Sequence, residues 1–222
     1  DVPIAVSAFS EQALKTRGID TAGNLVQSVP NLTFTRRFLR TNFQIRGVGA
    51  QLVSTGGDDG VGVHHNNAPL TANRLADAEF YDVERVEVLR GPQGTLYGRN
   101  ATGGVVNVIT NKPTDTFDAS ITAEFGNFNS KKYQGFINVP LGEMFALRAA
   151  GFALQRDGYT KNTLNGQDID DRQIWAARVT LSFDPAENFR GFLLWDNFSE
   201  DDTRGARKQL CAKDIGLTSV GG

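Results

Sequence analysis

The sequence predicts two units of different fold class: an α+β domain over residues 1–113, then antiparallel strands of a truncated transmembrane β-barrel over residues 114–222. Three observations carry this. Up to Pro113, helix signals mix with short valine-rich strands and glycine-rich loops. Beyond it come five segments of about ten residues, several with a period of two, the length and alternation of a strand that crosses a bilayer. The connections between them alternate between short turns and long polar loops, as in barrels whose turns at one rim are tight and whose loops at the other are extended.

Composition sets the outer limits. A net charge of -2 lacks the basic excess of a nucleic-acid binder, and 40% hydrophobic residues suffice for a core. The single cysteine, Cys211, excludes an internal disulfide and any multi-cysteine metal site. No run reaches the roughly 18 apolar residues of a membrane-spanning helix, a test that barrel strands, shorter and half polar, escape. The chain opens at Asp1 rather than Met, which reads as a removed targeting segment or an internal fragment.

In the first unit, Val2 to Phe9 is a strand candidate with Pro3 at its start, where a missing N–H is tolerated. Ser10 then suits an N-cap, Glu11 the first turn of a helix, and Phe9 with Leu14 a hydrophobic staple. Gly18 stops this helix. A second short helix fits Thr21 to Ser28, ended by Pro30. Strand-like pieces follow at Leu32–Thr35, Phe43–Arg46 and Val61–His64, and the strongest lie at Val83–Leu89 and Val105–Thr110.

In the second unit the strands are Thr116–Phe125, Lys132–Leu141, Phe145–Arg156, Gln173–Phe183 and Phe189–Phe198. The first sets Phe117, Ala119, Ile121, Ala123 and Phe125 against Asp118, Ser120, Thr122 and Glu124. The fourth sets Trp175, Ala177, Val179, Leu181 and Phe183 against Arg178, Thr180 and Ser182. The second is less regular, because Phe136 falls on the polar side; the third and fifth are ambiguous. Gly142-Glu143 and residues 184–188 are the short turns, and Asp157–Arg172 and the chain after Ser199 are the long loops. Five strands cannot close, and open edges in lipid would cost on the order of several kcal/mol per unpaired group, so further strands are expected beyond Gly222. A β-sandwich is the alternative.

The densest motif runs from Val83 to Thr110. It reads as a strand, a rigid loop through Gly91, Pro92, Gly94, Tyr97, Gly98, Gly103 and Gly104, and a returning strand. A P-loop would need Lys-Ser/Thr after its last glycine, and a dinucleotide fingerprint would open a helix there; neither is found. The loop is therefore expected to pack against other protein.

This segment resembles the C-terminal half of the plug domain of TonB-dependent outer-membrane receptors, in which an acidic-aliphatic strand leads to Arg-Gly-Pro, then Tyr-Gly, then Gly-Gly and a strand. Asp1–Val6 is similar to the family's first plug strand, and Pro30-Asn31-Leu32 and Gln44–Gly49 to its middle motifs. Arg156-Asp157-Gly158-Tyr159 fits the usual end of the third barrel strand. The resemblance implies a plug seated inside a 22-stranded barrel in the outer membrane of a Gram-negative bacterium. It implies active import of a scarce ligand, a ferric siderophore before carbohydrate, haem or cobalamin, driven by TonB pulling on a box upstream of Asp1. Lacking that box, residues 1–222 alone are not expected to engage TonB by the usual contact. Neither cofactor nor resident metal is implied, nor any nucleic-acid partner; the lipid of the outer membrane is the other partner. The contrasting class is a non-transporting β-rich binding or adhesion module.

The resemblance also assigns plug–barrel pairing. Arg46 and Arg90 are the plug arginines expected to meet acidic residues of the wall, since guanidinium stays charged and binds carboxylates in a bidentate fork. Glu84 and Glu87 belong to the same set, either there or as internal partners of these arginines. His64-His65 would point to opposite faces of a strand and suit loop or strand-end packing better than one metal. Asp58-Asp59, Asp170-Asp171 and Asp201-Asp202 fall in loops where carboxylates are solvated, residues 52–74 near the ligand-facing apex. Cys211 suits a free thiol or pairing with a later cysteine. No catalytic constellation appears, and an enzyme is not expected.

Overall fold

The computed structural model describes residues 5–37, 40–49, 60–70, 79–98, 100–163, 165–186 and 189–203. Two five-stranded sheets dominate it, one in each half.

The first sheet belongs to the N-terminal domain. Strand β1 (Ala5–Ser10) runs into helix α1 (Glu11–Arg17), where the Ser10 hydroxyl accepts from the Ala13 amide and Gly18, at φ 63, donates back to Leu14 and Lys15. Thr21–Ser28, expected as a helix, is instead a single 3₁₀ stretch over Ala22–Gln27. Thr21 makes no side-chain cap bond there, and Gly23 and Asn24 are poor helix formers. A separate hairpin pairs β2 (Leu32–Arg37) with β3 (Arg40–Ile45). Strands β4 (Val61–His65), β5 (Ala68–Pro69), β6 (Val83–Arg90) and, after helix α2 (Gly94–Tyr97), β7 (Gly104–Thr110) complete the domain. The sheet order is β1-β6-β7-β4-β5, antiparallel except where β4 runs parallel to β7. Phe9, Leu14, Leu25, Ile45, Val86, Val88 and Val106 form its core.

The second sheet is a meander, order β14-β13-β10-β9-β8, built from β8 (Asp118–Gly126), β9 (Ser130–Pro140), β10 (Phe145–Arg156), β13 (Arg172–Ala186) and β14 (Phe189–Glu200). A small hairpin, β11 (Thr160–Lys161) with β12 (Asp168–Ile169), stands in the long connection expected to be loop alone. Two paired residues per strand are too few to leave a periodic signature.

Register sorts the wall into two faces. Ser120, Phe136, Ala150 and Arg178 are cross-strand partners in one row, with Asp196 beside Arg178; Ala119, Ile137, Ala149, Val179 and Trp195 make an adjacent row on the other face. The even-numbered face turns toward the N-terminal domain. The odd-numbered face is apolar and open, with Ile121 85% and Leu193 71% exposed. Aromatic pairs mark both its ends: Phe145–Phe183 and Phe183–Phe189 at one, Phe125–Tyr133 and Phe128–Tyr159 at the other. Strand β10, with 12 residues, would rise about 28 Å at the roughly 40° tilt usual in barrels, enough to cover an apolar band of about 25 Å.

The link between the two units is stitched down. Asn138 on β9 is wholly buried; its side-chain oxygen accepts from the Thr114 amide at 3.0 Å. Its amide group donates to the carbonyls of Thr114 and Thr116 at 2.9 and 2.6 Å.

Candidate functional site: the junction between domain and wall

Four residues, Glu79 to Asp82, lie along the inner face of the wall. They are held from behind by a β-bridge of Glu79 with Thr21 and by a 2.7 Å bond from the Phe80 amide to the Asp20 carbonyl. Asp82 sits at φ 48, a left-handed conformation that aspartate tolerates, and turns the chain into β6.

Opposite these residues the wall places cations at even positions. Asp82 and Arg148 form a forked pair, with Nε 2.9 Å from Oδ2 and Nη2 2.5 Å from Oδ1. Their side chains are only 4% and 8% exposed. Arg148 also lies 3.8 Å above the ring of Phe136, and Asn111 donates to Asp82 Oδ1 at 2.9 Å. The buried charges are thus matched on several sides, the condition under which such a pair is tolerated. Phe136, irregular in the strand pattern, is the platform of this seat.

A second knot surrounds Tyr81. Its hydroxyl donates to Asp196 at 3.0 Å, its ring stacks on Phe152 at 5.9 Å, and Arg178 covers it at 4.5 Å. Arg178 binds Asp196 through Nε at 3.2 Å and donates from Nη1 to the Tyr81 carbonyl at 3.4 Å. Burial first, and Asp196 next among the causes that raise it, push the Tyr81 phenol far above its ordinary range, so it stays a donor. At the far end Glu79 lies 3.5 Å from Lys132 and 3.8 Å from Arg172.

His65, at the end of β4, joins the second knot, with Nε2 3.3 Å from Arg178 and Nδ1 3.9 Å from Asp196. Guanidinium cannot accept, so Nε2 carries the lone pair and Nδ1 the proton. Burial, then the charge of Arg178, lowers its pKa below 6.5, while Asp196 opposes them. A seated His65 therefore binds a proton less readily than a displaced one. The contribution of neutral His65 to the junction is complete above pH 6.5 and is lost progressively as the pH falls toward the lowered value. Proteolysis of the N-terminal domain should thus quicken between pH 7.5 and pH 5.5, and His65→Gln should flatten that response; equal acid sensitivity in both proteins would refute the role of His65.

The residues expected from sequence to pair across the junction lie elsewhere. Glu84 and Glu87 both engage Arg85 on their own strand, Glu87 at 2.6 Å. Arg46 is exposed at φ 54, with its amide bonded to the Asn31 carbonyl. The Nε of Arg90 is buried without a hydrogen-bond partner among the described residues. His64 and His65 do point apart: His64 meets the Tyr97 ring edge-on at 4.9 Å, and His65 faces the wall. Residues 52–59, 71–74 and Cys211 lie outside the described residues.

The glycine-rich loop packs on protein. The backbone N–H of Gln93 donates to the Ala101 carbonyl and that of Gly103 to the Gly60 carbonyl. Residues 94–97, expected as plain loop, make the one-turn helix α2, closed by Gly98 at φ 75. At Gly104, φ is 150 and a Cβ would stand 2.3 Å from the Leu89 carbonyl oxygen, so only glycine fits.

A family model described as TonB-dependent Receptor Plug Domain matches residues 1–105. The iron-regulated outer membrane virulence protein of Vibrio cholerae is 30% identical over 176 residues, covering 71% of this chain and 26% of that protein. The ferric enterobactin receptor PirA of Pseudomonas aeruginosa is 36% identical over 121 residues, 51% of this chain and 16% of the receptor. Among solved structures, the ferric yersiniabactin uptake receptor FyuA from Yersinia pestis superposes with a TM-score of 0.72 at 24% identity, over 84% of this chain and 30% of that one. The chain spans about a quarter of the length of the first of these relatives.

Proposed function

Because the chain belongs to the TonB-dependent receptors, with their plug domain in residues 1–105, we propose that it is the gate and first wall strands of an outer-membrane importer for a ferric siderophore. One observation carries the proposal: the plug is riveted by buried ion pairs to the charged inner face of a wall whose outer face is apolar and rimmed with aromatics. Such a wall suits lipid outside and a seated, displaceable plug inside. An iron-regulated outer membrane virulence protein and a ferric enterobactin receptor among the relatives favour a ferric siderophore as cargo. TonB would supply the work, since the outer membrane sustains no gradient of its own. Residues 1–113 form the plug in this reading, and residues 114–222 the start of the barrel.

Deleting the gene and following uptake of iron-loaded siderophores under iron limitation tests the cargo. Normal uptake of every siderophore tried would remove the iron assignment. The lipid-facing surface has its own test: Val179→Arg, in the middle of the apolar face beside Ala149 and Trp195, should cost about 2–4 kcal/mol and lower the yield of folded receptor. An unchanged unfolding midpoint would argue for a face turned to water.

Arg90 and Arg46 remain in this proposal as plug arginines that meet acidic groups on wall strands outside the described residues. The unpartnered Nε of Arg90 favours that placement. Arg90→Glu in the full receptor should make the plug leaky to large antibiotics; unchanged permeability would count against the pairing.

A further inference from the structure

The hairpin of β11 and β12 carries a group whose chemistry is independent of the junction and of the import reading. Asn165 is the one asparagine in the sequence that is followed by a glycine. Asn165, Gly166 and Gln167 are all exposed. The Asn165 side chain folds forward over the backbone: its Oδ1 accepts from the Gln167 amide at 3.1 Å, and its Nδ2 donates to Gln167 Oε1 at 2.8 Å. This Asx-turn keeps the side-chain carbonyl carbon beside the Gly166 nitrogen. Gly166 has no Cβ to crowd an approach, and nothing lies within 4 Å of where one would stand.

Hydrogen bonds restrain that nitrogen. The Gly166 N–H donates to the Asn162 carbonyl at 2.8 Å, and the Asn162 N–H donates to the Gln167 carbonyl at 2.8 Å. The strands themselves pair at two positions, Thr160 with Ile169 and Lys161 with Asp168. The Lys161–Asp168 ion pair, at 3.4 Å, has side chains 71% and 56% exposed. A hairpin this small opens locally far more often than the sheet on which it stands.

We propose that Asn165 is a site of spontaneous deamidation, gated by opening of the Gly166–Asn162 hydrogen bond. With that bond open, the Gly166 nitrogen loses its proton to solvent and attacks Cγ of Asn165. A C–N bond forms, the Cγ–Nδ2 bond breaks, and ammonia leaves. Water then opens the five-membered imide at either carbonyl, and nothing is oxidised or reduced. Addition at Cγ gives aspartate; addition at the backbone carbonyl gives isoaspartate. Aspartate keeps an acceptor for the Gln167 amide and adds one negative charge to the hairpin. Isoaspartate lengthens the main chain by one carbon, so the paired bonds of Asn162 with Gly166 and Gln167 cannot both re-form. Asn107 and Asn138, by contrast, are wholly buried, with their amides committed to Asn67 and to the Thr114 and Thr116 carbonyls.

The test ages the full receptor in membranes at mildly alkaline pH, beside a synthetic peptide of residues 160–169. Peptide mass spectrometry reads the conversion, and labelling by an isoaspartyl methyltransferase reads the rearranged product. Asn165 should convert ahead of every other asparagine of residues 1–222, about three- to tenfold more slowly than in the peptide because the hairpin must first open. An intact Asn165 after ten half-lives of the peptide overturns the site. Equal rates in receptor and peptide overturn the gate. Gly166→Ala should slow conversion at least tenfold in the peptide, where no fold intervenes; an unchanged rate there overturns the ring-forming route. Asn165→Gln should abolish isoaspartate labelling of this segment, and labelling that persists would overturn the assignment to Asn165.

Discussion

Arg148→Ala in the intact receptor should loosen the plug by about 3–5 kcal/mol, because removing one partner of a buried pair strands the other's charge. Among the described residues Asp82 would keep the Asn111 side-chain amide as its partner, with its carboxylate still enclosed between β6 and the wall. The expected readouts are faster proteolysis of the plug and entry of antibiotics too large for ordinary pores. Removing both charges, Asp82→Ala with Arg148→Ala, should cost less than the sum of the single changes, since the stranded charge disappears. Arg148→Lys should recover part of the loss, because lysine keeps the charge but lacks the fork and the flat face over Phe136. Wild-type protection in Arg148→Ala would show that the pair does not hold the plug.

Gly104→Ala is expected to be at least as damaging, on the order of 4 kcal/mol or more. The added Cβ would sit 2.3 Å from the Leu89 carbonyl oxygen and 2.7 Å from Ile45 Cδ1, at a φ that L-residues rarely adopt. The obstacle is backbone and core together, so neither can yield without breaking the β6–β7 ladder at Arg90–Gly104. Gly98→Ala is the matched control: its φ is also positive, at 75, but nothing lies within 4 Å of the new carbon. That change should cost only about 1–3 kcal/mol of backbone strain. Plugs of equal stability in the two variants would place the role of Gly104 in flexibility rather than fit.

The strands of the wall were legible because the chemistry that selects them is local and repeats every second residue. Trp175 to Phe183 shows this best: its outward positions are apolar, Arg178, Thr180 and Ser182 face inward, and the register agrees. Strand β10 was harder to read, since Ala146, Ala149, Ala150, Gly151 and Ala153 are small on both faces. Phe136 broke the pattern because it serves Arg148 rather than lipid. The glycine-rich loop was legible as protein-packed from what it lacked, a lysine and a following helix, although its one-turn helix carried no separate signal.

The junction was much less visible. Glu79 and Asp82 are ordinary acidic residues in sequence, and their role comes from partners on β9, β10 and β13. Arg178 could be placed on the inward face by alternation, but nothing local pointed to Tyr81, 97 residues away. Sequence reasoning therefore weighted the motif arginines, while the junction that can be described uses acids and a tyrosine from the plug against arginines and a lysine from the wall.

The stitched link at Thr114 has a kinetic consequence. Residues 111–117 are all that separate β7 from β8, and Asn138 pins their midpoint to the wall. A plug dislodged from its seat stays on a tether of a few residues. Its return is then unimolecular, with an effective concentration in the millimolar range. Even if the junction alone bound only at about micromolar strength, that tether would keep the seat about 99.9% occupied at rest. Under the import reading proposed above, the contacts at Asp82 and Tyr81 can therefore be weak enough to release under load and still reseat the plug afterwards.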